Sequence, residues 1–293
     1  MRIYMHPNLD KVNCYESTCE AAAILLGGGA QVCINESYRS VFSTQSGICF
    51  VNEDEGIASC DIIIAVGGDG TILKCSKRAA RHGKPVLGIN CGRLGFMASL
   101  EHTQLGKLEK LLNGDFSKSR RMMLEAKFSV QGKEKSYTAL NDIIIAKSDD
   151  CKIADYKVSK RGRVISSLRA DGVIFSTATG ATAYSMSAGG PIIEPEMECI
   201  EFSHVCAHSL FARTMILSAD SNISVSVATR DQSHVWVNID GNNVARLTDG
   251  DTVRVTRSKY YIDIIDIAGG SFFSSVHNKL MMPLKGTEEE EAP

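Results

Sequence analysis

The sequence predicts an α/β N-terminal domain of Rossmann-like type and an all-β C-terminal domain of sandwich type. Three observations carry this. The first third of the chain alternates apolar, β-branched runs with helical stretches, the pattern of a parallel sheet with crossovers. Near residue 118 of the 293 helices thin out and short strands multiply. Between them, Asp61-Ile62-Ile63-Ile64-Ala65-Val66 runs straight into Gly67-Gly68-Asp69-Gly70-Thr71, an apolar strand ending in a glycine-rich turn.

The elements follow in order. Arg2 to Met5 reads as a short strand. Cys14 to Leu26 reads as a helix, stopped by Gly27-Gly28-Gly29. Gln31 to Ile34 is apolar enough for a second strand. Ile62 to Val66 has no polar alternation and is predicted to be buried on both faces. A helix is expected from Ile72 to Arg81, a strand at Pro85 to Asn90 and a helix at Gln104 to Leu112. The strands end in Gly or Asn, so polar loops gather on one edge, the usual ligand edge of such a sheet. Beyond residue 118, strands are expected at Ala126 to Val130, Ser136 to Leu140, Ile143 to Ala146, Tyr156 to Ser159, Val164 to Leu168 and Val173 to Ser176. Four more are expected at Ile223 to Ala228, Val235 to Ile239, Thr252 to Thr256 and Tyr261 to Ile265. Turn signals at Gln131-Gly132, Arg161-Gly162, Asp240-Gly241 and Asp249-Gly250 separate them. This divides the chain into 1–118, 119–270, an end segment 271–283 and an acidic tail 284–293 that is expected to be disordered.

Composition excludes several classes. The apolar fraction is 44% and the net charge −2, so no basic field points to nucleic acid or to a membrane surface. No apolar run approaches the ~20 residues of a membrane helix. Met1 to Pro7 lacks the charged-then-apolar pattern of a secretory leader. None of the ten cysteines forms a Cys-x-x-Cys pair, which suits reduced thiols and a cytoplasmic location. His204-x-Cys206-x-His208 is a possible metal cluster without an evident fourth ligand, so no metal site is assigned.

Three segments carry chemistry. In the first, Gly67, Gly68 and Gly70 permit φ > 0 and close approach of backbone N–H groups to a phosphate. Asp69 either caps the following helix or takes part in a reaction, because an acid beside an anion cradle is otherwise unfavourable. The second runs from Arg169-Ala170-Asp171-Gly172 through Thr177-Ala178-Thr179-Gly180-Ala181-Thr182-Ala183-Tyr184-Ser185-Met186-Ser187 to Gly189-Gly190-Pro191. Its small hydroxyl residues offer donors, acceptors and space, and Tyr184 offers a flat face for a base or sugar. A small-residue helix packed on a sheet has the same composition. The third, Asn141-Asp142 before Ile143-Ile144-Ile145, suits either a grip on ribose hydroxyls or an ordinary turn.

Taken together, these segments resemble the successive motifs of the NAD kinase family. The loop Asn90-Cys91-Gly92-Arg93-Leu94-Gly95-Phe96 and the end segment from Ser271 to Leu280 are similar to that family too. The resemblance spans Ile62 to Leu280. Its Gly-Gly-Asp-Gly-Thr element is shared with lipid kinases and phosphofructokinase-like relatives, and the Thr179 to Pro191 segment is the specific part. It implies transfer of phosphate to the adenosine ribose 2′-hydroxyl of NAD, from ATP or polyphosphate, with Mg²⁺ or another divalent cation. By the same resemblance Asp69 is the general base, with Mg²⁺ ligation as its competing role, and Gly67, Gly68, Gly70 and Thr71 form the phosphate loop. Asn141 and Asp142 hold the ribose, and Arg169 and Asp171 contact the dinucleotide. Thr179 and Thr182 lie near adenine, Ala183, Tyr184 and Ser187 line the remaining surface, and Asn242 takes a late amide position. A homodimer or homotetramer is also implied, as is an α/β domain paired with a β-sandwich whose C-terminal segment, 271–283, returns to the first domain.

The chain departs from the family at three places. Asn141-Asp142 replaces the frequent Asn-Glu, so a ribose contact through water is expected. Ala178 stands for proline, which loosens the turn by up to about 1 kcal/mol of unfolded-state entropy, and Ala181 stands for serine or threonine. Arg169 goes, in this family, with preference for NAD over NADH. The alternatives are a lipid kinase, which would need an apolar acyl groove that Thr179 to Ser187 does not offer, and an idle nucleotide sensor, which would not need Asp69. A dehydrogenase-like binder would want Gly-x-Gly-x-x-Gly near the first strand, where the triple glycine instead ends a helix.

Overall fold

Five short strands with almost no polar interior build the first sheet. In the computed structural model, which describes all residues except 93–94, 131, 150, 152, 230–232, 270–271 and 282–293, they run parallel. Their order is Val86–Asn90, Ile62–Gly67, Arg2–Pro7, Gln31–Asn35, Cys49–Val51. Ile62–Gly67 is buried at every position, as expected of a strand covered on both faces. Helices Cys14–Gly27, Glu53–Ser59 and Asp69–Arg81 make the crossovers. The chain steps outward from Arg2–Pro7 in one direction, then restarts on its other side with Ile62–Gly67. The sheet therefore has its topological switch point between those two strands.

The chain forms two units, Met1–Ser119 with the chain from Asp263 onward, and Arg120–Ile262. The second boundary falls inside the strand Thr252–Asp266, whose Ile264 pairs parallel with Val86. The core of the first unit gathers Ile3, Met5, Leu25, Ile64, Val66 and Ile89 with Ile265 and Ile267 from the returning chain.

The second unit is a β-sandwich of antiparallel strands. One sheet has the order Met215–Ser218, Cys199–Val205, Gly172–Ser176, Asp142–Lys147, Val235–Ile239, Asn242–Leu247. The other includes Arg163–Ala170, Ala154–Lys160, Ile223–Thr229 and Thr252–Asp266, with Ser117–Val130 and Lys133–Ala139 beside them. Alternating burial along Ile223–Thr229 and Val235–Ile239 is the period-two signature of strands with one face inward. Phe175 and Phe202 stack with centroids 5.1 Å apart and are fully buried. Among the described residues no helix is long and apolar enough to cross a membrane.

Several elements differ from expectation. The helix expected from Ile72 begins at Asp69. The helix expected at Gln104 to Leu112 is a 3₁₀ segment, His102–Lys107, and a short helix, Leu108–Leu112, because Gln104 sits at φ −119°, ψ 19°. The two strands expected between Thr252 and Ile265 are one, with Ser258 buried at its centre. Strands Cys49–Val51, Leu100–Glu101, Cys199–Val205, Met215–Ser218 and Asn242–Leu247 and the helix Glu53–Ser59 add to those expected. Arg161-Gly162 and Asp240-Gly241 turn with positive φ at both residues, the hairpin geometry their sequence signals. Gln131 of the Gln131-Gly132 turn, Ser271 of the end segment and the acidic tail lie outside the described residues. Truncating the stacked pair at Phe175→Ala is expected to cost about 3–5 kcal/mol, measured as a lower urea midpoint with an unchanged slope.

Candidate active site

Gly67 is the last residue of its strand, and Gly68, extended at φ −103°, caps the helix that starts at Asp69. None of Gly67, Gly68 and Gly70 has positive φ, so the left-handed freedom read from the sequence is not what the turn uses. Space is. A Cβ on Gly67 would overlap Thr71, whereas Gly68 and Gly70 have open space beside them. Thr71 N–H donates to the Gly68 carbonyl, and the first helical N–H groups, at Asp69 and Gly70, are left without a helical acceptor. Asn8 Nδ2 donates to Thr71 Oγ1 at 3.1 Å and fastens the neighbouring strand end to this turn.

Asp69 does not cap its helix. Its carboxylate turns to the loop after Val86–Asn90, accepting from Phe96 N–H at Oδ2 (2.7 Å) and from Met97 N–H at Oδ1 (3.2 Å). A Cβ at Gly95 would overlap that carboxylate, so the loop reaches Asp69 only because residue 95 is glycine. The loop is steered there by Asn90, buried and bonded to Glu101 Oε2 at 2.9 Å, and by Cys91 N–H on the Gly67 carbonyl. Arg93 and Leu94 of the loop lie outside the described residues.

In the sandwich, Asn141 precedes the strand Asp142–Lys147. The main chain here is held by Asp240, a residue whose sequence context signals only a turn. Asp240 accepts from the N–H groups of Leu140 (3.0 Å), Asn141 (2.8 Å) and Asp142 (3.0 Å). Its backbone N–H donates to the Asp142 carbonyl at 3.1 Å. The Asn141 carbonyl accepts from Thr177 N–H, and Thr177 Oγ1 donates to the Leu140 carbonyl at 2.6 Å. Gly180 lies so near Asn141 that a Cβ would overlap its carbonyl. With the main chain fully engaged, the Asn141 side chain is not needed for the turn. Asn242 joins this end, its Nδ2 donating to the Asp240 carbonyl at 3.1 Å.

Thr177 to Ser187 form a 3₁₀ turn, Gly180–Thr182, and a four-residue helix, Tyr184–Ser187, where one short helix was expected. Thr179 is buried and its Oγ1 has no hydrogen-bond partner among the described residues, which leaves it open to a water or a ligand. Thr182 Oγ1 donates to the Thr179 carbonyl at 3.3 Å. Tyr184 and Ser187 are exposed, and Ala183 is partly so. Beneath the helix, Ser185 Oγ donates to Glu201 Oε1 at 2.6 Å and Ser203 Oγ to the same atom at 3.2 Å. Glu201 is wholly buried and burial raises its pKa, opposed by the two serines. Nothing in its sequence context, on a strand that was not expected, marked Glu201.

Arg169 and Asp171 are elsewhere. Ser176 stands opposite Asp142 and Gly172 opposite Ala146. Asp171, whose carbonyl accepts from Lys147 N–H, therefore lies at the other end of the strand from Asn141, roughly 20 Å away at about 3.3 Å per residue. Arg169 Nε bonds Asp155 Oδ1 at 3.0 Å, and Asp171 pairs with Lys147 at 2.8 Å. His204 hydrogen-bonds Ser166, and among the described residues no three acidic, imidazole or thiol groups gather as metal ligands.

An open parallel sheet with an acid at a helix start, joined in one chain to a sandwich with a built turn of small hydroxyl residues, is an arrangement that suits a nucleotide-dependent phosphotransferase. The chain belongs to the NAD kinase family. Residues 34–116 match the ATP-NAD kinase N-terminal domain and residues 140–267 the ATP-NAD kinase C-terminal domain. It is 38% identical to an NAD kinase of Symbiobacterium thermophilum over 222 residues, 75% of this chain and 78% of that one. It is 33% identical to an NAD kinase of Caldanaerobacter subterraneus subsp. tengcongensis over 276 residues, 94% and 96% of the two chains. Its fold is similar to that of yeast NADH kinase complexed with NADH, at TM-score 0.86 and 21% identity over 100% of this chain and 90% of that one. It is also similar to an Archaeoglobus fulgidus NAD kinase in complex with ATP, at TM-score 0.74 and 22% identity over 96% and 99%.

Two outcomes are expected from the new residues. Asp240→Ala leaves three N–H groups without their acceptor and should lower stability by about 3 kcal/mol or more, while Asp240→Asn, which keeps an acceptor oxygen, should lose less; urea titration compares them. Because the Glu201 pKa is raised on folding, the folded state holds its proton longer than the unfolded chain. Stability should then fall as pH rises from the unfolded carboxyl value through the folded one. Glu201→Gln should flatten that part of the Tm–pH curve.

Proposed function

We propose that the protein transfers the terminal phosphoryl group of ATP, or of polyphosphate, to the 2′-hydroxyl of the adenosine ribose of NAD, giving NADP. The observation that carries this is the family match over both units, with Asp69 present and held in a defined orientation. It favours this reading over a lipid kinase or an idle sensor.

A ribose hydroxyl is a poor nucleophile, and its proton must leave during attack. Asp69 accepts that proton as the bond from the 2′-oxygen to phosphorus forms and the bond from phosphorus to the leaving ADP oxygen breaks. Each Asp69 oxygen has one main-chain donor and keeps a second lone pair for this. The N–H groups at Asp69 and Gly70, with the space beside Gly68 and Gly70, hold the donor phosphates. Asn141 and Asp142 hold the ribose, and Thr179 and Thr182 lie toward adenine. Ala183, Tyr184 and Ser187 line the remaining surface, beside Asn242. Arg169 and Asp171 are too distant to share that ribose, so we assign them to the part of the dinucleotide farthest from it, where Arg169 supports NAD over NADH.

Mg²⁺ or another divalent cation would be needed with the donor phosphates. The described chain offers it Asp69 and no acidic cluster, which fits a metal held mainly by phosphate oxygens and water. When bound, it neutralises charge on the transferring group. The ten free thiols support a cytoplasmic, reducing setting. Adjacent Leu210 and Phe211, 87% and 88% exposed, support a homodimer or homotetramer.

Incubation with NAD, ATP and Mg²⁺, followed by an NADP-specific dehydrogenase, tests the activity; absence of NADP with every donor and metal overturns the proposal. Asp69→Asn should depress kcat by about 10²–10⁴-fold, the range of general-base assistance, and leave NAD affinity within about twofold. An unchanged kcat removes Asp69 from the base role.

A further inference from the structure

Glu201 is a wholly buried acid that the proposed reaction does not use. It stands in one row across its sheet with Ser176 and Asp142, paired in turn through the strands Cys199–Val205, Gly172–Ser176 and Asp142–Lys147. Directly paired residues point to the same side of a sheet. That side faces away from the sandwich core, because Ile200 and Phe202, the neighbours of Glu201 along its strand, belong to the core. The acid therefore lies at the same level of the sheet as the Asn141-Asp142 turn, and the helix Tyr184–Ser187 sits over it.

A helix of four residues is too short to hold itself. Ser185 is its buried residue, and Tyr184 and Ser187, three apart, share the exposed face. Ser185 Oγ donates to Glu201 Oε1 at 2.6 Å, and Ser203 Oγ donates to the same atom at 3.2 Å. Ser203 Oγ is tied in turn to Thr214 Oγ1 at 2.9 Å. The chain leaving the helix meets that carboxyl oxygen too. A Cβ on Gly190 would overlap Glu201 Oε1, and Gly190 N–H donates to the Ser185 carbonyl at 2.9 Å. One oxygen thus fixes both the helix and its exit. The other, Oε2, is buried with no hydrogen-bond partner among the described residues. A carboxylate served on one oxygen only is costly in such surroundings, and burial raises the Glu201 pKa against the two serines, so the group acts as a neutral acceptor. An apolar side chain would fill the place at less cost, but it would remove the bond that ties Ser185 to the sheet.

We infer that Glu201 is a positioning residue for the dinucleotide. Through Ser185 and the exit at Gly190 it sets the orientation of the helix that presents Tyr184 and Ser187, and so sets NAD affinity without touching NAD. The inference rests on the NAD kinase reading for the identity of the ligand, but not for the anchoring of the helix.

The test uses the full chain, with steady-state kinetics in NAD and ATP, NAD binding by calorimetry, and hydrogen exchange of residues 183–190. Ser185→Ala and Glu201→Leu should each raise the NAD KM and weaken NAD binding by roughly tenfold, the loss of one buried hydrogen bond, with the ATP KM unchanged. Exchange in 183–190 should quicken by a similar factor, while that of the strand Asp142–Lys147 stays as it was. Glu201→Gln, which keeps an acceptor oxygen in place, should hold the NAD KM within about threefold of wild type. The double variant Ser185→Ala with Glu201→Leu should lose little more than either alone, because both remove the same bond. A protein that is merely destabilised loses active molecules, which lowers kcat and moves neither KM. Where Glu201→Leu does not fold, Ser185→Ala and Glu201→Gln carry the comparison. NAD KM and NAD binding unchanged in folded Ser185→Ala, in protein that makes NADP normally, overturn the positioning role and spare the activity. Glu201→Gln as impaired as Glu201→Leu or Ser185→Ala overturns the neutral acceptor. Quickened exchange in protein that neither makes NADP nor binds NAD upholds the anchoring of the helix and overturns the NAD reading.

Discussion

Backbone N–H groups that run past the end of a sheet need acceptors, and here carboxylates supply them. Where Val86–Asn90 ends, Phe96 and Met97 have no ladder partner and donate to Asp69. Where Asp142–Lys147 begins, Leu140, Asn141 and Asp142 donate to Asp240. An amide withdrawn from water without a partner costs free energy comparable to a lost hydrogen bond, so each loop is fixed wherever its carboxylate stands. The candidate residues of both units are placed by this requirement. Asp69 is aimed by the loop it satisfies, and Asn141 is freed from making a turn because Asp240 makes it.

The glycines follow from the same requirement. A main chain can reach a carboxylate or a carbonyl this closely only where no Cβ intervenes, which explains Gly95 against Asp69 and Gly180 against Asn141. Gly68 and Gly70 differ, because nothing of the protein fills the space beside them. Two glycines thus serve packing and two leave room. The sequence presents all four alike, which is why φ > 0 was a reasonable reading of Gly67, Gly68 and Gly70 and an incorrect one.

What was legible depended on how local its cause is. Ile62–Gly67 and the helix after it follow from apolar runs and glycine punctuation, and both were placed within a few residues. Arg161-Gly162 and Asp240-Gly241 were readable as turns because turn chemistry is a two-residue property. Glu53–Ser59 was not readable. It is seven residues long, with three acids in its first turn and Gly56 inside, and its place depends on Gly56 lying against the Tyr4 ring about fifty residues away in sequence. Glu201 was equally hidden, since its serine partners, Ser185 on a helix and Ser203 on the same strand, meet only after folding. The fold class and the three motif segments were therefore visible, whereas the groups that hold those segments in place were not.

The way Asp69 is held also bears on what it can do. Its two donors are main-chain groups that neither titrate nor change rotamer, so its orientation is settled before any ligand arrives, and no ordering remains to be done at the moment of reaction. Arg169 with Asp155 and Lys147 with Asp171 are the opposite case. These are partly exposed side-chain pairs, worth little in water and screened by salt. Such pairs exchange partners readily when an anion or a hydroxyl approaches. In the proposed reaction a rigid acid suits the reacting position, where a small displacement is costly, and exchangeable pairs would suit the periphery of a substrate, where recognition tolerates adjustment.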